Sequence, residues 1–404
     1  MQLFNQNQPQ QEPNFFKLSD KIIKIESKEL EKNPEIQNFI KNSTATIFEF
    51  FYKNGAKEFF YSLPILKLKL DLEVPGSYED SPHLFPPLIS LKINPKNFQK
   101  EEIFKTLFHE FCHHLISNKQ KPLQPHTNIE KHLFLDENSE RWRSIEEGLA
   151  NIFARFYLKK LSNENSFKSL DLDYTQIEKN LEASYPIEQS IILIFLASLD
   201  LKIEDLVNLY LKDSSISFML KEKFCQKYQI SEEEFFTLLP DPKPLLNFLL
   251  SQNFNINDLE QKIQSLGLKQ DYLNFLINNY KELRDGINKY KNMEKDKQIL
   301  ILKTLYSELQ KKAQEDPLFY QKQENQSKLK EATFLIASLL GLDDYIQIEQ
   351  VKVYLLNKIT NEEEGIINPN FYIFDQPEEF KFLSFIIHPS KIEHLKEDID
   401  NLFK

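Results

Sequence analysis

Between Thr106 and Ile116 the chain reads TLFHEFCHHLI, which puts three of its eight histidines, His109, His113 and His114, close together, with Glu110 after the first. In a helix, His109 and His113 are four residues apart, so both imidazoles stand on one face, about 6 Å apart along the axis. Two imidazoles so placed can hold one metal ion. Glu110 lies one step round, close enough to address a water on that ion rather than the ion itself. This is the HExxH arrangement of two zinc-binding histidines and a general base. A metal site that does chemistry needs a third protein ligand and keeps a fourth position open.

Several residues compete for that third place. The pattern HExxHxxGxxH is excluded, because Ile116 and Lys119 stand where it needs glycine and histidine. His126 and His132, in KPLQPHTNIEKHLF, are distant histidines in a loop. The remaining option is a carboxylate on the helix SIEEGLANIFARFYLKKL, Ser144 to Leu161, where Glu146 and Glu147 are neighbours. Glu147 has Asn151 four residues on, where an amide can hydrogen-bond a ligand histidine. Gly148 inside that helix costs about 1 kcal/mol relative to Ala, which predicts a close approach to the HExxH helix. The run Ser144 to Glu147 also fits a Ser-x-x-Glu capping box, in which Glu147 would serve only the first helical turn. With the HExxH helix present, Glu147 is the expected ligand and Glu146 the alternative.

These side chains need rigid mounts. Ile103, Phe104, Leu107, Phe108, Phe111, Cys112 and Leu115 share an apolar face, with Thr106, His109, Glu110 and His113 on the other side. Cys112 is expected to be a small buried hydrophobe, and His114 to serve structure rather than ligation. Upstream, Pro64 to Val74 and Leu88 to Asn94 alternate apolar and polar residues as strands do, with His83 in the loop between. A helix is expected near Thr44 to Tyr52. After Pro95, apolar residues recur at helical spacing over Glu102–Ser117, Ser144–Leu161, Ile187–Leu199, Ile203–Leu211, Ile299–Ala313 and Lys328–Leu340. FYIFD and FLSFII near the C-terminus are possible strands, and Lys291 to Gln298 reads as an exposed connection.

The expected fold is α+β and predominantly helical. Residues 1–20 form a Gln/Asn/Pro-rich disordered tail, and 21–100 a small α/β lobe with an edge strand. Residues 101–215 form a helical zinc-binding core, and 216–404 a mostly helical C-terminal domain.

Composition narrows the function. A net charge of −11 from 50 basic and 61 acidic side chains gives no general attraction to nucleic acid or anionic lipid. Two cysteines make no disulfide framework, which suits a reducing compartment. The polar N-terminus lacks the apolar core of a signal peptide, and the apolar run Ile191 to Ala197 is far shorter than the roughly 20 residues a membrane span needs. A cytoplasmic protein without nucleic-acid or membrane partners is expected.

HEFCHH followed by EEGLAN resembles the gluzincin metallopeptidases, the superfamily of thermolysin-like proteases and large helical aminopeptidases. The similarity covers Leu88 to Leu199, roughly a quarter of the chain. His109, Glu110, His113, Glu147 and Asn151 match the family's two histidine ligands, its general base, its glutamate ligand and the residue that orients a histidine. The resemblance implies Zn2+ as cofactor, a peptide or protein substrate, and LISLKIN as the edge strand against which a peptide lies. It also implies an oxyanion donor after the glutamate ligand. Tyr185 is the candidate for that role, with His126 and His132 as alternatives. The spacer from His113 to Glu147 is longer than the family's, and the GxMEN sequence of its aminopeptidases is absent. The implied activity is therefore zinc-dependent hydrolysis of peptide bonds, without aminopeptidase specificity. Two other functions fit the sequence: a helical interaction protein with a vestigial or structural metal site, and a regulatory intracellular protease with one protein substrate.

Overall fold

A computed structural model of the chain describes residues 13–404, apart from 57–58, 61–62, 71, 80–85, 118–137, 211–215, 240, 317–318 and 361–391. The fold is α+β and predominantly helical. In chain order the elements begin α1 (Phe15–Ile22), β1 (Ile23–Ile25), α2 (Lys28–Glu31), α3 (Pro34–Lys53), β2 (Ile65–Lys69), β3 (Gly76–Glu79) and β4 (Leu88–Lys92). There follow α4 (Lys100–Ser117), α5 (Asn138–Leu161), α6 (Asn165–Lys168), α7 (Tyr174–Ala183), α8 (Pro186–Ser198), α9 (Ile203–Tyr210), α10 (Ile216–Tyr228) and α11 (Glu232–Thr237). The last are α12 (Pro242–Ser251), α13 (Ile256–Ser265), α14 (Asp271–Lys291), α15 (Lys295–Glu315), α16 (Gln323–Leu340), α17 (Tyr345–Thr360) and α18 (Glu393–Asn401).

The chain divides into two compact units, Met1–Leu245 with Gln261–Gln270, and Leu246–Glu260 with Asp271–Lys404. Residues 216–245, grouped with the C-terminal region in the sequence reading, belong to the first unit. In the second unit α14 and α16 meet where Gly286 lies against the Phe334 ring. Tyr345 stacks on Tyr280 at 4.4 Å, and the Tyr280 hydroxyl donates to Asn247 Oδ1 over 2.7 Å.

In the first unit α1 begins inside the stretch expected to be a disordered tail. Its cap is Asn14, which accepts from the Lys17 amide, and Phe15, Leu18 and Ile22 are buried. An amphipathic turn with three apolar side chains to bury outweighs the polar composition around it. The four-stranded sheet has the order β1-β2-β4-β3, parallel except for β3, which runs antiparallel to β4. LISLKIN, expected at the edge, is therefore an inner strand. Its Ile89, Ser90 and Leu91 are all buried, as a strand covered on both faces requires. The edge on that side is β3, in a stretch read from sequence as a turn and loop. The strand expected over Pro64–Val74 spans only Ile65–Lys69, because β4 offers partners only from Leu88 to Lys92.

Helix α4 is fixed by aromatic packing. Phe51 of α3 stacks on Phe108 at 5.8 Å, and Phe48 meets Phe111 edge-on at 5.2 Å. Phe104, Phe108, Phe111, Cys112 and Leu115 are buried, the face foreseen from spacing. The run Ile191–Ala197 lies in α8 and is buried. Among the described residues no helix is long and apolar enough to cross a membrane. The segments FYIFD and FLSFII, and His83, lie outside the described residues.

Candidate metal centre

The polar side of α4 is not a solvated surface. Thr106, His109 and Glu110 are each only 6% exposed, enclosed where α4 packs against α5 and β3. Surface histidines need no explanation, but burying two imidazoles and two carboxylates together is costly unless they pair or bind a cation.

Three donor atoms converge there. His109 Nε2 and His113 Nε2 are 3.0 Å apart, and both face Glu147 Oε2, at 3.3 and 3.1 Å. Donors bound at about 2.0–2.1 Å to a tetrahedral ion stand roughly 3.3–3.4 Å from one another. The triangle is slightly tighter than that, so a small outward shift would admit the ion. Among the described residues, these are the three side chains of the metal-ligating types whose donor atoms gather within 4.8 Å.

Helix α5 decides between the neighbouring carboxylates. It runs unbroken from Asn138, so Ser144 lies inside it and forms no N-terminal cap, which removes the capping explanation for Glu147. Glu146 is half-buried and does not join the triangle, although His113 feels its charge. His126 and His132 lie outside the described residues. Gly148 does mark a close approach, but to α8 and not to α4. A Cβ there would lie 2.4 Å from the Glu188 carbonyl oxygen and 2.7 Å from Ile192 Cγ1.

Burial and mutual charge set the protonation pattern. Burial opposes charge on His109 and takes its pKa down to about 4, against a hydrogen bond with Glu147 that acts upward. On His113 burial also acts downward, but hydrogen bonding and attraction to Glu147 outweigh it and leave the pKa raised. Burial would raise Glu147, yet hydrogen bonds from both histidines hold that carboxyl far below the usual range. Glu110 is pushed up to about 7, chiefly by burial, with the His113 charge acting downward and Glu147 upward. Charge is thus opposed on His109 and favoured on His113 beside an anionic carboxylate, a place a divalent cation would suit. Among the described residues, buried His109 Nδ1 and both amide atoms of Asn151 have no hydrogen-bond partner. The bond expected from Asn151 to a ligand histidine is therefore not formed.

Two tyrosines flank the triangle. Tyr185 lies parallel to His109, with centroids 5.5 Å apart and planes 10° from parallel, and is 42% exposed. It caps α8 in the left-handed region, at φ 53 and ψ 51, directly before Pro186. That is a rare conformation for a bulky side chain, and rarer before proline. Tyr78, on the edge strand, lies parallel to His113 at 6.2 Å, and its hydroxyl meets His114 Nδ1 at 3.1 Å. His114 is buried edge-on to Phe59 at 4.8 Å. The third histidine thus ties the edge strand to the helix, in keeping with the structural part expected of it. Gly76 brings β3 against α4 at Glu110. A Cβ there would lie 2.5 Å from Thr106 Cγ2 and 2.8 Å from Glu110 Oε1. Tyr78 was missed from sequence because GSYE carries no alternation. Its one signal was a glycine, scarce in this chain, just before it.

The donor set of two imidazoles and a carboxylate suits zinc, and it also suits iron(II). Comparison with protein-family models, curated proteins and solved structures found no match.

Proposed function

We propose that the chain is a zinc-dependent metallopeptidase of gluzincin type that hydrolyses peptide bonds. One observation carries this reading: His109, His113 and Glu147 aim three donor atoms at one point, with Glu110 buried beside the two histidines on α4. A carboxylate next to the triangle but outside it is what hydrolysis needs from a general base, and it favours zinc over iron(II).

His109, His113 and Glu147 would hold the zinc, which would supply a Lewis acid to polarise a carbonyl and bring a water's pKa to roughly 7. Glu110 takes a proton at its carboxylate and returns it to the departing amine. Shielding by β3 and α5 keeps that carboxylate basic enough for the task. Tyr185, stacked on His109 and partly exposed, is the donor proposed for an oxygen gaining negative charge. The role proposed from the resemblance for LISLKIN passes to β3, whose outer edge can pair with an extended peptide. The two free cysteines support a reducing, cytoplasmic setting.

The test is metal content and peptide hydrolysis on the purified full chain. About one zinc per chain is expected, with turnover of a peptide library. Glu110→Gln should keep the zinc and lose turnover by at least about 100-fold. Zinc retained by a wild-type chain that cleaves nothing would contradict the hydrolase reading and favour a structural metal site.

A further inference from the structure

The strain at Tyr185 needs a restraint, because such conformations persist only where the surroundings impose them. The restraint is Gln189, one turn into α8 and fully buried. Its Nε2 donates to the carbonyls of Leu181 at 2.9 Å and Glu182 at 3.3 Å, and to that of Ser184. These close the end of α7 and the turn that leads into Tyr185. Its Oε1 accepts from Arg155 Nη1 at 2.8 Å. Arg155 is buried too, two turns beyond Glu147 on α5, and its other arm donates to the Lys269 carbonyl. Gln270 adds a bond to the Glu182 carbonyl at 3.4 Å. One amide thus gathers three carbonyls of the turn, and a guanidinium on the ligand-bearing helix fixes which way that amide faces.

We infer that Gln189, oriented by Arg155, is a positioning residue that holds the 181–185 turn so that Tyr185 stays over the ligand His109. The inference rests on the metallopeptidase reading and adds a chain of command from α5 to the tyrosine. Gln189 touches neither the metal ligands nor a substrate, and it acts through Tyr185 alone.

The decisive variant is Gln189→Glu. It keeps the side chain's shape and its contact with Arg155 but cannot donate to the three carbonyls. In the zinc-loaded full chain it should lower kcat about 10- to 100-fold, approaching the loss of an oxyanion donor, with zinc content unchanged. In a Tyr185→Phe background the same change should cost less than about twofold, because its route of action is already gone. Hydrogen exchange of the metal-free chain should quicken at 181–189 and stay unchanged along α4. Equal losses of kcat in both backgrounds would overturn the inference, as would unaltered exchange at 181–189. If Gln189→Glu does not fold, Arg155→Lys enters the same cycle, with the same outcomes deciding. A wild-type chain that binds zinc but cleaves nothing overturns the hydrolase reading and with it the catalytic purpose of the restraint. Unaltered exchange overturns the restraint alone.

Discussion

Among single residues, Asn151 offers the sharpest test of the metal site. It stands one turn beyond Glu147 on α5, fully buried, and among the described residues neither its amide atoms nor His109 Nδ1 has a hydrogen-bond partner. Each such group costs about 1–3 kcal/mol. A chain keeps that cost where the group serves a bound state. Asn151→Leu is therefore expected to stabilise the metal-free protein by about 1–3 kcal/mol in denaturant unfolding. If Asn151 bonds a ligand histidine once metal is bound, the same change should weaken zinc binding about 10- to 100-fold. A less stable chain with unchanged zinc affinity would show that Asn151 merely fills space. His109 and His113 were legible in sequence because a spacing of four puts them on one helical face, whereas Glu147 had to be weighed against Glu146 and a capping role. Tyr78 and Gln189 were not, because their partners are set by the fold: Tyr78 meets His114 across 36 positions and Gln189 meets Arg155 across 34.

At the scale of elements, the site depends on how closely β3 lies on α4. Gly76 sets that distance, since an added Cβ would collide with Thr106 Cγ2 at 2.5 Å. Gly76→Ala should destabilise the protein by about 1–3 kcal/mol, the usual range for overpacking. It should also lower kcat/KM by moving the strand off Glu110, the proposed general base. Adding Thr106→Ser removes the methyl in the way and should restore much of both losses, measured by thermal unfolding and peptide turnover. No recovery would mean that the glycine serves the strand's own conformation instead. The helices of this region were readable because apolar residues recur every three or four positions along them. The sheet was harder to read. LISLKIN alternates like an edge strand but is buried on both faces, and GSYE becomes a strand only because β4 offers it a partner. The capping reading of Ser144 to Glu147 failed for a related reason: α5 starts well before its apolar stripe does.

Over the whole molecule, every residue assigned a part in the chemistry, from Gly76 to Gln189, belongs to the first compact unit. The composition pointed to a folded, largely helical, acidic chain. It gave no sign that a segment after α12, Gln261–Gln270, returns to the first unit, where the Lys269 carbonyl accepts from Arg155 and Gln270 donates to the Glu182 carbonyl before Tyr185. The central claim is that two imidazoles of α4 and one carboxylate of α5 bind zinc together. X-ray absorption at the zinc edge, on the full chain loaded with one equivalent and desalted, tests it most directly. The predicted spectrum shows two imidazole nitrogens and oxygen ligands at about 2.0–2.1 Å, and Glu147→Ala loses the metal. A sulfur shell near 2.3 Å, a shell of oxygens without imidazole, or zinc that washes away would contradict the account.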